Sequence, residues 1–179
     1  MKDLSLHILD IVRNSVEANA TEIFVSMSID ANNFLTIIFK DNGRGMSVEM
    51  VQNVTDPFVT TRTTRKVGMG LPLIKMNAEL TGGNLFITSE LKKGTTVTVK
   101  FNLQHIDCMP YGDLGSVFSQ LLGGNPEKKF IFNFATPKDE FTLNSDEIWE
   151  MMKESAVSQI KMMIFIKEMI NENLEEIGF

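Results

Sequence analysis

The spacing of apolar positions changes period several times along the first hundred residues. "MKDLSLHILDIVRNSVEANA" repeats its apolar residues every three or four positions, which predicts a helix over residues 2–18. "TEIFVSMSID" and "NFLTIIFKD" are β-rich runs and predict two strands, joined as a hairpin by an Ala-Asn-Asn turn. After the glycine-bearing stretch "KDNGRGMSVE", residues 47–53 suit a short helix and 54–67 a polar loop rich in Thr and Arg. A second helix is expected from Leu71 to about Leu80, stopping at Gly82-Gly83. Two more strands follow, "NLFITSEL" and "TTVTVKFN", linked through Lys92-Lys93-Gly94 and ending near Asn102.

From Gln104 the texture changes. "DLGSVFSQLLGG" reads as a helix capped by Asp113, "KKFIFNF" and "EFTLN" as a hairpin around Thr136-Pro137-Lys138-Asp139, and Asn144 with Glu147 as a capping box for "SDEIWEMMKE". A last helix, about 156–177, sets Ile160, Met163 or Ile164, Lys167, Ile170, Leu174 and Ile177 at helical spacing. No repeat of 20–50 residues and no low-complexity tract interrupts the chain.

Composition narrows the class. Of 179 residues 43% are hydrophobic, and 13 Phe and 12 Met outnumber one Trp and one Tyr, so most large apolar side chains carry no polar group that needs a partner. The net charge of −6 and a single loose basic stretch, "TTRTTRK" from Thr60 to Lys66, argue against a nucleic-acid partner. Cys108 is the only cysteine, which excludes an internal disulfide, and with two isolated histidines no zinc site of the usual kind can form. No stretch reaches the ~20 apolar residues of a membrane span; the longest, "IKMMIFIKEMI", carries three charges and reads as a core or partner-facing helix. A cytoplasmic protein without a membrane contact is the expectation.

On the first helix His7, Asp10, Asn14 and Glu17 fall within an arc of about 80°, opposite Leu4, Ile8, Ile11 and Val12. That polar arc suits a solvated face, or a ligand approached by Asp10 and Asn14 one turn apart. "DNGRG" taken alone suits a type I′ turn at Asn-Gly. "GMGLPL" lacks the third glycine of the dinucleotide fingerprint, since Leu73 stands in its place, and no GxxxxGK[ST] occurs. What remains is a Gly-x-Gly entering a helix, where backbone N–H groups can meet a phosphate.

Taken in order, these segments resemble the histidine-kinase-like ATPase superfamily, shared by sensor kinases, type II topoisomerases, heat-shock chaperones and the mismatch-repair protein MutL. "LDIVRNSVEANAT" looks like the family's N box in its MutL form and "DNGRGM" like its G1 box. "DPFVTTR" with "GMGLPLIKMNAELTGGNLFITSELKKGTTVTVKF" is similar to the F and G2 boxes of sensor kinases. The resemblance covers roughly residues 4–102. It implies an α+β fold, a two-layer sandwich with a mixed, mainly antiparallel sheet covered by helices on one face. Residues 1–103 would form the ATP-binding domain. Residues 104–179 would form a small α/β extension, packed on the first or offering a partner surface.

The resemblance also implies roles. Asn14 would hold Mg²⁺ through its side-chain oxygen, and Asp41 would accept a hydrogen bond from the adenine amino group. Gly43 and Gly45, with Met46, would admit the base, and Thr95 would reach it directly or through water. Gly68 and Gly70, with Met69 and Leu71, would cradle phosphate at a helix start, and Thr60, Thr61, Arg62, Arg65 and Lys66 would form a lid. Asp10 stands where topoisomerases and MutL carry a Glu as general base; the shorter side chain suits slow hydrolysis, or service to an acceptor hydroxyl or imidazole. Glu17 suits a structural role at the helix end. Sensor kinases place a helix pair bearing the phospho-accepting His before this domain, whereas here the N box begins within ten residues of Met1. Neither His7 nor His105 suits that role, so a protein acceptor is expected in trans. Three functions compete: a phosphotransferase acting on a protein partner, a nucleotide-dependent switch with slow hydrolysis, and a module that binds ATP without turning it over. A homodimer fits any of them.

Overall fold

A computed structural model describes residues 2–55, 69–153 and 158–179. In chain order they form α1 (Leu4–Glu17), β1 (Glu22–Ile29), β2 (Phe34–Asp41), α2 (Val48–Asn53), α3 (Gly70–Leu80), β3 (Asn84–Glu90), β4 (Gly94–Asn102), α4 (Leu114–Gly124), β5 (Lys129–Ala135), β6 (Glu140–Asn144), α5 (Ser145–Lys153) and α6 (Gln159–Ile177). The strands make one sheet in the order β3-β4-β2-β1-β5-β6. Every neighbouring pair is antiparallel except β1–β5, which is parallel. The α+β class, with its mixed and mainly antiparallel sheet, is therefore observed. The sheet runs unbroken past residue 103, because β1 accepts β2 on one edge and β5 on the other.

Alternation along the strands decides which face is buried. Ile23, Val25 and Met27 of β1, Leu35, Ile37 and Phe39 of β2, Val97, Val99 and Phe101 of β4, and Phe130, Phe132 and Phe134 of β5 all point into the core. Their neighbours on the other face, such as Ser26, Thr36, Thr98 and Asn133, stay partly exposed. Helices α1, α3 and α4 cover the apolar face. The phenylalanines concentrate under α4, where the Phe118 ring lies 4.4 Å from Phe132 and 5.2 Å from Phe134.

Helix α6 packs across α4 and reaches β6. Its contact is close: a Cβ added at Gly115 would fall 2.5 Å from the Lys167 carbonyl oxygen. Asn171 Oδ1 accepts from Gly115 N at 3.0 Å and Lys167 Nζ pairs with Asp113 at 2.8 Å, so α6 supplies polar partners to the start of α4. The buried stripe is Ile166, Ile170, Leu174 and Ile177. Ile160, expected on that stripe, is instead 75% exposed, and of the alternatives Met163 and Ile164 it is Met163 that packs against the core, while Ile164 is 52% exposed. The spacing fitted two faces of the helix, and Gly115 chose one by letting α6 approach there. Asn144 caps α5, its Oδ1 accepting from Asp146 N at 3.1 Å, where the expected capping box would use Glu147 N.

The polar arc assigned to α1 needs one correction. His7 is fully buried, with Nε2 3.2 Å from Asn77 Nδ2 of α3. It lies only about 40° around the helix from Ile11, and α3 and α4 both pack on α1, so the buried sector is wider than the apolar residues alone suggest. Asn77 donates its amide hydrogen to Nε2, which leaves the proton on Nδ1, without a partner among the described residues.

Burial pushes the His7 pKa down from 6.5 to about 4. Between those values the unfolded chain binds a proton that the folded chain refuses. Stability contributed by neutral His7 is therefore complete above pH 6.5 and lost as the pH falls toward 4, with an amplitude on the order of 3 kcal/mol. Urea midpoints of wild type and His7→Gln at pH 7.5 and 4.5 measure it: the variant is expected to lose less stability on acidification, and equal losses would refute the assignment. Removing the ring in Phe118→Ala is expected to cost about 3–5 kcal/mol. Because the sheet is continuous, the loss should appear as one shifted transition by circular dichroism and Trp149 fluorescence; two separated transitions would show that the C-terminal strands fold independently.

Candidate functional site

The site is built where three chain segments cross at one end of the sheet. The Asn-Gly step after β2 does not form the expected type I′ turn: neither Asn42 nor Gly43 has a positive φ, and the left-handed position is Gly45, at 64°. The reason lies in the Asn42 side chain. Its Oδ1 accepts from Thr21 N and Glu22 N at 2.9 and 3.0 Å, and its Nδ2 donates to Thr21 Oγ1, which staples the end of β2 to the start of β1. Gly43 lies flat against the end of α1; a Cβ there would come within 2.9 Å of both the Cβ and the carbonyl oxygen of Ala18. Gly45 faces the Glu90 carbonyl oxygen, 1.9 Å from where its Cβ would be. No side chain fits at either position.

Asp41 is the last residue of β2, and its carboxylate is held twice. Ser15 Oγ of α1 donates to Oδ2 at 2.8 Å and Gly43 N donates to Oδ1 at 2.9 Å. Each oxygen keeps a further lone pair, and an ionised carboxylate has only acceptors to offer. Asp41 pairs across the ladder with Thr95 of β4, which in turn pairs with Ser89 of β3, so the three side chains form a polar row across three strands. Above that row opens a cleft of about 500 Å³, the size of a small-ligand site. Ile11, Phe39, Leu71 and Val97 give it apolar sides, while α2 closes it with Met50 and Asn53. Asn14 lines it one residue before Ser15.

The other end of the site is the start of α3. Among the described residues its N-cap Met69 makes no side-chain cap, and Pro72 in the first turn has no N–H, so the amides of Gly70 and Leu71 form the positive end of the helix. Asp10 reaches this point from α1: a Cβ on Gly70 would fall 2.0 Å from Asp10 Oδ2. Asp10, Asn14 and Ser15 thus run along one helix from the start of α3 to Asp41. An acceptor at one end and an uncapped helix at the other suit a ligand with an amino-bearing head and an anionic tail.

The sequence candidates divide accordingly. Asn14, Asp41, Gly45, Met46, Leu71 and Thr95 line the cleft, Gly43 packs against Ala18 and Asp41, and Asp10 and Gly70 meet each other without lining it. Met69 does not line it; its side chain lines a separate shallow depression with Pro72, Leu73 and Met76. Thr60, Thr61, Arg62, Arg65, Lys66 and Gly68 lie outside the described residues. Among the described residues no group of three His, Cys, Asp or Glu side chains could cage a metal ion. The donor set near the start of α3, the Asn14 amide and the Asp10 carboxylate, fits a Mg²⁺ that keeps waters and takes most of its oxygens from phosphates. Ser15, Ser89 and the α2 wall were missed. Ser15 had a signal, standing next to Asn14 on the same helix, but Ser89 had none until strand register put it beside Thr95.

Residues 2–105 match the family model described as histidine kinase-, DNA gyrase B-, and HSP90-like ATPase. Similar curated proteins include sporulation kinase D of Bacillus subtilis, 34% identical over 51% of this chain and 18% of that protein, and sensor protein SrrB of Staphylococcus aureus, 37% identical over 42% and 14%. The chain therefore spans less than a fifth of these relatives' length. A solved structure described as the N-terminal domain of a DNA repair protein shares the fold, with a TM-score of 0.54 over 80% of this chain and 52% of that one at 19% identity. That coverage is wider than the family match, so it extends beyond those residues. By the match over residues 2–105, the chain belongs to the histidine kinase-, DNA gyrase B- and HSP90-like ATPases, a family of ATP-binding domains.

Proposed function

We propose that the cleft binds ATP as its Mg²⁺ complex and that the chain is a phosphotransferase acting on a protein partner. The observation that carries the reading is the Asp41 carboxylate, fixed by Ser15 and Gly43 at the floor of an apolar cleft. Adenine presents an amino group to such an acceptor, whereas guanine presents a carbonyl that would leave two acceptors facing each other. Gly43 and Gly45 make room for the base beside Met46 and Thr95. Asn14 would contribute one oxygen to Mg²⁺, the start of α3 would receive phosphate, and the Thr60–Lys66 segment would close as a lid. Asp10, beside the start of α3, would accept the proton of the attacking group.

Kinase names among the similar proteins support transfer to an acceptor. His7, sealed between α1 and α3, is not available as that acceptor. A nucleotide-dependent switch is the second reading, and one observation favours it. Asp10 touches the first residue of α3, so a ligand settling there has to move that contact and with it the helix. No described helix is long and apolar enough to cross a membrane.

Two measurements test this. Mg²⁺·ATP should raise the melting temperature of wild type, while Asp41→Asn and Asn14→Ala should bind about tenfold to a hundredfold more weakly, as expected for one lost bond to a charged group. Equal stabilisation of all three proteins would sink the site assignment. Incubation with γ-labelled ATP, Mg²⁺ and cell lysate should transfer label to a lysate protein; free phosphate alone would favour the switch instead.

A further inference from the structure

Ser89 does not line the cleft, yet its hydroxyl is bonded to Thr95, which does. Its hydroxyl has three partners. Met46 N donates to Oγ at 2.8 Å, Oγ lies 2.9 Å from the Gly94 carbonyl oxygen, and Oγ lies 2.9 Å from Thr95 Oγ1. A serine hydroxyl owns one hydrogen and two lone pairs. The Gly94 carbonyl can only accept, so it takes the hydrogen. Met46 N occupies one lone pair. The Thr95 hydroxyl must therefore donate to the second, and its own hydrogen is spent.

Thr95 is thereby left with lone pairs alone to present to the cleft it lines. A free threonine would rotate to donate or accept as a ligand required; this one is held as an acceptor. Its cross-strand neighbour Asp41 is an acceptor too, with one oxygen bonded by Ser15 and the other by Gly43 N. Two acceptors stand side by side, and a primary amino group supplies two donors from one nitrogen. An oxo group supplies none. With Asp41 alone, a 6-oxopurine could shift to offer its ring N–H to the carboxylate and turn its oxygen toward a donating Thr95. An accepting Thr95 closes that route.

We propose that Ser89 is a positioning residue that sets the hydrogen-bond polarity of Thr95 and so makes the cleft selective for 6-aminopurine over 6-oxopurine nucleotides. This rests on the reading of the cleft as an ATP site. Its backbone setting supports a dedicated role, since the same hydroxyl fixes Met46 N on the loop after β2 and Gly94 O at the start of β4, the two segments that flank the row. Gly94 itself has a φ of 110°, and a Cβ there would lie 1.9 Å from the Asp41 carbonyl oxygen, so β4 cannot drift away from Asp41 without opening that contact.

Titration calorimetry with ATP and with inosine triphosphate, which carries a 6-oxo group, tests the idea at fixed Mg²⁺. Wild type should prefer ATP. Ser89→Ala should lower the ATP-over-inosine-triphosphate ratio about tenfold, the worth of one hydrogen bond. Ser89→Thr, which restores the hydroxyl, should keep the ratio. The double variant Ser89→Ala/Thr95→Val should match Thr95→Val alone, because Ser89 acts through Thr95. If Ser89→Ala does not fold, Ser89→Cys preserves volume with a poor hydrogen-bond partner and should show the same fall. A purely structural Ser89 would weaken both nucleotides equally, and an unchanged ratio in a variant that still binds ATP overturns the proposal. Wild type that binds neither nucleotide overturns the ATP reading beneath it, a result distinguishable from the first.

Discussion

The close approach of α1 to the end of β2 is the constraint on which the rest of the site depends. Ala18 stands so near Gly43 that a single added carbon would collide with both its side chain and its carbonyl oxygen. Arg44 N donates to that same carbonyl at 2.9 Å, which pins the loop to the helix. Only at this separation can Ser15 reach Asp41, and only then does Asn14, one residue earlier, line the same cleft. A helix one ångström further out would leave the carboxylate loose and the cleft floor undefined. Packing without a side chain at Gly43 is therefore what turns a strand end into a recognition element.

Along α1 the polar side chains change partners from the sheet to the start of α3. Ser15 meets an acceptor at the sheet, Asn14 follows, and Asp10 meets the uncapped start of α3.

The C-terminal strands are part of the same physics. Lys129 N donates to the Thr21 carbonyl and Lys128 Nζ to the Ala20 carbonyl at 2.7 Å, so β5 is tied to the very junction that Asn42 staples from the other side. Phenylalanines from β5 and from α4 then fill the space beside α1. Tyr111 and Phe179 close the far end, with rings 5.6 Å apart, and the Pro110 and Tyr111 carbonyls accept from the first amides of α1. The helix that carries the site is held at its start by the C-terminal part and at its end by the glycine loop.

The sequence by itself determined the periodic elements and the three boxes, because hydrophobic period and glycine spacing are local properties of a chain. Helix α1, strands β1 to β4, the cap at Asp113 and the turn before Asp139 were all legible for that reason, and Asn14 and Asp41, singled out there, line one cleft. Tertiary structure decided what depends on partners from distant segments. His7 became a core residue because α3 arrived beside α1, and Asn42 left the turn it favours because Thr21 and Glu22 offered better bonds. The free edge of β1 paired in parallel with β5, which no local pattern could specify. Ser89 gained its influence on Thr95 only through the register of β3 on β4, since a hydroxyl's proton goes wherever the surrounding acceptors allow, and those come from the fold.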